Sequence, residues 1–152
     1  MTYNYVSIYG DSYGVGVGSI LTGATITAKV GISMYAILES IQKSTEALVG
    51  RTVILSTGTL NSFAPVDVFA DNMKFSDLQL AVLHAQIDAI LVHGAMLKNI
   101  CVVGCGKPNA DTFLAPLYAA RGICFLPVNP ASLGHDHLHP SDWSPVALAA
   151  IA

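Results

Sequence analysis

Short apolar segments of strand character alternate along this chain with longer segments of helical period. The five strand-like segments are residues 5–9, 25–30, 52–56, 100–103 and 123–126. Helices are predicted over residues 33–50, 76–98, 111–121 and 141–151, and a further one opens near Ser12. Strands that alternate with helices favour parallel βαβ units. The pattern predicts an α/β fold, a three-layer α/β/α sandwich around a parallel sheet, in a single domain of residues 1–152.

The predicted helix boundaries depend on local end signals. Ser33 is a candidate N-cap and Gly50 a candidate stop for the helix between the second and third strands. Ser76 and Gln79 have the spacing of a capping box. The helix that they open is expected to run to about residue 98, with a bend near Gly94.

Composition excludes several classes of protein. Hydrophobic residues make up 53% of the chain and charged residues 11%, which favours a large buried core over disorder and leaves room for a homo-oligomer. The net charge of −3 offers no basic field, so no nucleic-acid partner is expected. Polar residues interrupt the apolar stretch 78–97, so no membrane span is expected. No signal peptide is visible, which leaves a cytoplasmic or a virion-associated location open.

The three cysteines do not form a metal or redox motif. No two of them have CxxC spacing, and an odd number argues against a disulfide framework. Cys101 and Cys124 lie in apolar strand-like runs, where a cysteine commonly acts as a small buried hydrophobe. Reduced structural thiols are therefore expected.

Polar and glycine residues follow several of the predicted strands. Ser12 follows the first strand, Gly31 the second and Asn61 the third, while Asp136 and His139 come after the fifth. Because ligands bind outside the carboxyl ends of parallel strands, these residues are expected to share one rim. Each also has a simpler explanation: a helix cap, a turn residue or a surface loop residue. The convergence of all five favours a functional site.

These residues resemble the motifs of the SGNH (GDSL) hydrolase family. Ser12 lies in Tyr-Gly-Asp-Ser, which is similar to the family's first block, and Gly31 corresponds to the second. Asn61 corresponds to the third, and Asp136-x-x-His139-Pro to the last. The resemblance spans nearly the whole chain in the right order. It implies a flavodoxin-like five-stranded sheet, ester hydrolysis and no cofactor. One departure is that Asn61 lies three residues after Gly58, where the family often has Gly-x-Asn.

The same residues permit a serine-hydrolase mechanism. His139 would take the proton of Ser12, and Asp136 would orient the His139 ring. The backbone N–H groups of Ser12 and Gly31 and the side-chain amide of Asn61 would form an oxyanion hole. Asp11 is expected to bond loop backbone, because a carboxylate aimed inward would oppose the developing negative charge.

Other ligand sites are weaker alternatives. His135, His137 and His139 alternate as zinc ligands on a strand would, but the glycine and proline beside them make a strand unfavourable, so no metal is predicted. The run Gly14-Val-Gly16-Val-Gly18 lacks dinucleotide spacing and is expected to pass near an acyl pocket. Trp143 could stack on a sugar ring or pack the last helix.

The chain is therefore interpreted as a serine ester hydrolase that forms an acyl-serine intermediate with a small acyl ester. An O-acetylated carbohydrate is the leading substrate. Two alternatives remain: a short-chain lipid or general esterase, and a non-catalytic carbohydrate-binding or virion structural module on the same fold.

Overall fold

Five parallel strands form one sheet in the computed structural model, which describes residues 1–62 and 75–152. The strands are β1 (Val6–Gly10), β2 (Thr25–Ala28), β3 (Thr52–Ser56), β4 (Ile100–Val103) and β5 (Cys124–Leu126). Their order is β2-β1-β3-β4-β5, and every neighbouring pair is parallel. This is the flavodoxin-like strand order, so the predicted fold class is confirmed.

Six α-helices accompany the sheet in the described part of the chain. They are α1 (Ser12–Ile20), α2 (Met34–Lys43), α3 (Thr59–Ser62), α4 (Asp77–Val92), α5 (Pro108–Ala119) and α6 (Ser144–Ala150). Ser33 caps α2 as predicted, and Ser76 and Gln79 form the predicted capping box at the start of α4. Local hydrogen bonds of this kind are readable from sequence because both partners lie within three residues.

The core has one apolar cluster on each face of the sheet. On one face, Ile37 of α2, Leu83 of α4 and Leu114 of α5 pack with Val53 and Val102 of the central strands. The opposite face is covered by helices from the two ends of the chain, with Val17 of α1 and Ala147 of α6 beside Ile8 and Ile54. The consecutive residues Val53 and Ile54 point to opposite faces, as strand geometry requires, so both faces are buried in a three-layer sandwich.

Two predicted helix ends were wrong, and two hydrogen bonds of His93 give the reason. α2 ends at Lys43 instead of continuing toward Gly50, and α4 ends at Val92 instead of near residue 98. The His93 ring hydrogen-bonds the backbone carbonyl of Ile41 at 2.7 Å, and the His93 carbonyl accepts the N–H of Leu48 at 2.8 Å. Leu48 is therefore buried although it lies in a non-helical segment after α2. The helical period of the apolar residues could not reveal this, because Leu48 also fits that period.

The cysteine prediction is half correct. All three thiols are free, and Cys101 and Cys105 are buried. Cys124 is exposed because β5 is an edge strand, so it is not the buried hydrophobe that was expected. Cys101 and Cys124 are paired in register on β4 and β5, with their sulfur atoms 2.8 Å apart.

Among the described residues, no helix combines the length and apolar character needed to cross a membrane. The apolar stretch noted in the sequence is divided between α4, a turn at Gly94 with φ of 106°, and a short 3-10 helix at Leu97–Asn99.

Candidate active site

The structure brings together three of the predicted site residues at the carboxyl end of the sheet. Ser12 follows β1 directly, whereas Asp136 and His139 lie in the long segment after β5. Ser12 Oγ is 2.7 Å from His139 Nε2. His139 Nδ1 is 2.6 Å from Asp136 Oδ2. A hydroxyl, an imidazole and a carboxylate therefore form one hydrogen-bonded row. Two of its members, Ser12 and His139, are 127 positions apart in the sequence.

The proton positions in this row follow from the carboxylate. An ionised carboxylate only accepts hydrogen bonds, so His139 Nδ1 is the donor to Asp136. In the neutral imidazole, Nε2 then has a free lone pair and accepts the Ser12 hydroxyl proton. Hydrogen bonds from the His139 ring and from the N–H groups of His139 and Leu138 hold the pKa of Asp136 well below its ordinary value, although the carboxyl is exposed.

A tight turn between β1 and α1 positions Ser12. Asp11, and not Ser12, is the N-cap of α1, and its carboxylate accepts the Tyr13 N–H at 3.0 Å. Ser56 Oγ, at the end of β3, accepts the N–H groups of Asp11 at 3.0 Å and Gly14 at 3.1 Å. Burial raises the pKa of Asp11, against hydrogen bonds that lower it. The predicted backbone-bonding role of Asp11 therefore agrees with its contacts.

Gly10 is required where β1 passes Ser56. Its φ is 149°, and a Cβ there would lie 1.9 Å from Ser56 Oγ and 2.5 Å from the Ser56 carbonyl oxygen. No side chain fits this close approach. The glycine thus lets Ser56 reach the backbone of the turn that carries Ser12.

The backbone N–H of Ser12 remains available for a ligand. Asp11, Tyr13, Gly14 and Val15 each donate their N–H to Ser56 or Asp11. The Ser12 N–H finds no acceptor among the described residues. It lies at the first position of α1, where the helix dipole also favours negative charge.

Of the other two predicted oxyanion donors, the structure describes the N–H of Gly31 but not the side chain of Asn61. Gly31 lies in the turn between β2 and α2 with φ of 80°, and its N–H finds no acceptor within the described ranges. A Cβ on Gly31 would meet nothing within 4 Å, so backbone conformation and not crowding favours glycine there. Asn61 belongs to α3, but its side chain lies outside the described residues, and its predicted role stays a prediction.

The segment that carries Asp136 and His139 is a closed turn, here called the His139 loop (residues 134–139). Its ends are joined by the Gly134 N–H donating to the His139 carbonyl at 2.8 Å. Inside it, Asp136 Oδ1 accepts the N–H groups of Leu138 and His139, each at 2.9 Å. His137 adopts a φ of 56°, which turns the chain so that His139 faces Ser12. The loop therefore presets the Asp136–His139 pair by its own hydrogen bonds.

Two side chains outside this loop hold its backbone, and sequence reasoning missed both. The Tyr13 hydroxyl donates toward the Leu138 carbonyl and lies 2.9 Å from the Cys105 carbonyl. Lys107 Nζ donates to the His137 carbonyl at 2.5 Å. Both side chains belong to buried residues. Tyr13 could have been suspected from its place beside Ser12, whereas Lys107 is one of several scattered lysines.

The glycine run and Trp143 serve packing. A Cβ on Gly16 would lie 2.1 Å from the Trp143 ring, and one on Gly18 would lie 2.5 Å from Ile26. The glycines let α1 approach the sheet and α6, which gives the run a packing role; that they pass near an acyl pocket stays a prediction. Trp143 packs edge-on against Tyr13 at 5.1 Å, which matches the packing alternative for this residue.

The described residues offer no metal-ligand cluster beside the row. Across residues 1–62 and 75–152, no group of three or more His, Cys, Asp or Glu side chains could hold a metal ion. A cavity of about 790 Å³ opens between α4 and α5, lined mostly by apolar side chains that include Leu80, Phe113 and Leu117. It contains none of the row's residues, so the chemistry at the rim, and not the volume of this cavity, identifies the candidate site.

Comparisons with known proteins support the fold. A proposed acylhydrolase from Bacteroides fragilis superimposes with a TM-score of 0.61 at 14% identity, over 96% of this chain and 83% of that one. A GDSL-like lipase from Bacteroides thetaiotaomicron gives 0.60 at 12% identity, over 97% of this chain and 85% of that one. No protein-family model matches the sequence, and no curated protein does. At such low identity, the likeness establishes the shared fold alone.

Proposed function

Because this chain has the fold of the SGNH (GDSL) hydrolases, we propose that it is a serine ester hydrolase with Ser12 as its nucleophile. The observation that carries the proposal is the row in which Ser12 Oγ, His139 and Asp136 are joined by contacts of 2.7 and 2.6 Å. Function must be argued from such a site and not from the fold, which can host many activities.

In the proposed reaction, the row of Ser12, His139 and Asp136 acts once in acylation and once in deacylation. His139 Nε2 accepts the Ser12 proton as Oγ attacks the ester carbonyl carbon, and Asp136 stabilises the imidazolium that results. Collapse of the tetrahedral intermediate breaks the bond to the alcohol, which leaves with the proton from Nε2. Water, deprotonated by His139, then attacks the acyl-serine, releases the carboxylic acid and restores the Ser12 hydroxyl.

We propose that N–H donors from three residues would stabilise the negative charge on the carbonyl oxygen. The Ser12 and Gly31 N–H groups support this role because neither is used by the described part of the protein. The Asn61 amide is proposed as the third donor. Removal of one donor from such a site typically costs about 10²–10³ in turnover.

The surroundings of Ser12 favour a small acyl group and a large alcohol. The space beneath the nucleophile turn, bordered by Asp11, Ser56 and Thr59, is too small to admit a water molecule. That space accommodates no acyl group, long or short, so it gives a long acyl chain no burial. On the other side, the side chains of His139 and Asp136 are 32% and 50% exposed, so a bulky alcohol could remain in solvent. We therefore propose an O-acetylated carbohydrate as the substrate.

Hydrolysis of p-nitrophenyl acetate by the purified chain tests the reaction. His139→Ala should abolish it while the circular dichroism spectrum stays that of the wild type. His135→Ala is the matched control, because it removes an exposed imidazole from the same loop and should leave the rate unchanged. Activity that survives in His139→Ala would remove this residue from the mechanism.

Release of carboxylic acid, followed by titration at constant pH, separates the substrate classes. The wild type is compared on acetylated oligosaccharides, short-chain glycerol esters and longer acyl esters at equal ester concentration. The proposal predicts the highest kcat/KM on the acetylated saccharides and a steep fall as the acyl chain lengthens. Preference for longer acyl chains would contradict the proposed substrate but not the serine mechanism.

A further inference from the structure

The Asp136–His139 pair is preset by its own loop, but its distance to Ser12 is set elsewhere. Within the loop, Asp136 bonds both the backbone N–H and the ring of His139, and these contacts would move together if the loop shifted. The 2.7 Å contact between Ser12 and His139 joins two separate segments. Something must therefore hold the loop against the turn that carries Ser12.

Two buried donors reach successive carbonyls of this loop. Lys107 Nζ donates to the His137 carbonyl at 2.5 Å, and the Tyr13 hydroxyl donates to the Leu138 carbonyl. These are the two peptide units directly before His139. Tyr13 is 1% exposed and Lys107 5% exposed, so the donor end of each bond is shielded from water, whereas His137 and Leu138 on the accepting side are exposed.

Tyr13 links the two halves of the site through one residue. Its backbone follows Ser12 in the first turn of α1, and its hydroxyl contacts the residue before His139. Its ring lies 5.7 Å from the His139 ring, centre to centre, and meets Trp143 edge-on. Burial raises the pKa of the Tyr13 phenol, so it stays protonated and able to donate.

The loop after β4 is shaped to admit this contact. Gly106 has φ of 73°, and a Cβ on it would lie 3.0 Å from the Tyr13 hydroxyl oxygen. The Cys105 carbonyl also lies 2.9 Å from that oxygen, so the hydroxyl sits between the β4 loop and the His139 loop. Lys107 follows in the same β4 loop, as the N-cap residue of α5.

On the basis of the proposed function, we infer that Tyr13 and Lys107 are positioning residues that clamp the His137 and Leu138 carbonyls and so hold His139 Nε2 on the Ser12 hydroxyl. Neither touches the reacting atoms. Their effect is on the alignment of nucleophile and base, and a displacement of about 1 Å in such a geometry can cost about 100-fold in rate.

Tyr13→Phe tests this inference, because it removes the hydroxyl and keeps the ring between His139 and Trp143. With p-nitrophenyl acetate as substrate, kcat should fall about 10- to 100-fold and KM should change by less than about twofold. Tyr9→Phe is the matched control. Tyr9→Phe also removes the hydroxyl of a buried tyrosine, which hydrogen-bonds Ser44 and Glu46. The Tyr9 side chain, however, packs in the core on the opposite face of the sheet.

Rates are expressed per site after titration with a fluorophosphonate, so that partial unfolding does not imitate a loss of alignment. Lys107→Met provides a second arm from a different element and should also lower kcat at unchanged KM. The inference is overturned if both variants turn over per site as fast as Tyr9→Phe, or if KM rises in place of a fall in kcat. A wild type that hydrolyses no ester would instead overturn the proposed function, and the inference with it.

Discussion

At the residue scale, the charge of Asp136 links the stability of the fold to pH. The His139 ring and the N–H groups of His139 and Leu138 all donate to its carboxyl, which favours the ionised form and depresses its folded-state pKa. A carboxyl whose pKa is lower in the folded state stabilises the fold at pH values above its unfolded-state pKa. That stabilisation is lost as pH falls through the lower folded-state value.

Asp136→Asn should therefore affect both turnover and stability. An amide can no longer fix the His139 tautomer, and kcat is expected to fall about 10⁴-fold. The melting temperature of the variant should lie below that of the wild type at neutral pH, and the difference should shrink below about pH 4. Kinetics and thermal unfolding across pH check both. A melting difference that grows on acidification would contradict the depressed pKa.

At the scale of the elements, one buried carboxylate joins the ends of two strands beside the site. Asp111 of α5 accepts the Cys105 N–H after β4 at 2.8 Å and the Val128 N–H after β5 at 3.0 Å. Burial raises the pKa of Asp111, whereas these N–H bonds lower it. Gly104 makes room for the carboxylate, because a Cβ there would lie 2.6 Å from its oxygens.

Asp111→Ala should destabilise the fold by about 1–3 kcal/mol for each buried N–H that loses its acceptor. Asp88→Ala is the control, because Asp88 forms an ion pair with Arg121 that is 63% exposed on the Asp88 side. Such pairs contribute about 0–1 kcal/mol. Urea unfolding measures both variants. Equal destabilisation would mean that the Asp111 bonds do not join the two strand ends.

Elements that depend on local chemistry could be predicted, and those that depend on tertiary contacts could not. The limits of β3 and β4 follow from apolar runs, and the capping box at Ser76 follows from residues three apart. The end of α2 depends on His93, 52 residues from its partner Ile41. The residues of the candidate row were visible as motif members. The contacts of Tyr13 and Lys107 could not be predicted, because their partners are backbone carbonyls of a distant loop and form no residue pattern.

At the scale of the whole molecule, the fold is what makes the site. Ser12 lies near one end of the chain and His139 near the other, and α1 and α6 pack on the same face of the sheet. We propose that residues 1–152 form a single domain. The flavodoxin-like order then brings the ends of β1, β2 and β5 to one rim, where a contact between distant residues can form only after the sheet has assembled.

Urea should therefore abolish ester hydrolysis and far-ultraviolet circular dichroism in one coincident transition. The single domain and the hydrogen bonds of Tyr13 and Lys107 to the His139 loop both lead to this expectation. Activity and ellipticity are followed in parallel on the same samples. Hydrolysis lost well before the secondary structure would show that the His139 loop separates from an otherwise folded sheet.

The most direct test of the central claim is the site of covalent labelling by a fluorophosphonate, located by mass spectrometry. The proposed mechanism predicts one adduct per folded chain, on Ser12, with no labelling in Ser12→Ala. Ser19→Ala should label like the wild type, because Ser19 lies on the same helix but donates only to the Gly16 carbonyl. Folded wild type that takes up no label, or takes it up at another residue, would contradict the assignment of Ser12 as the nucleophile.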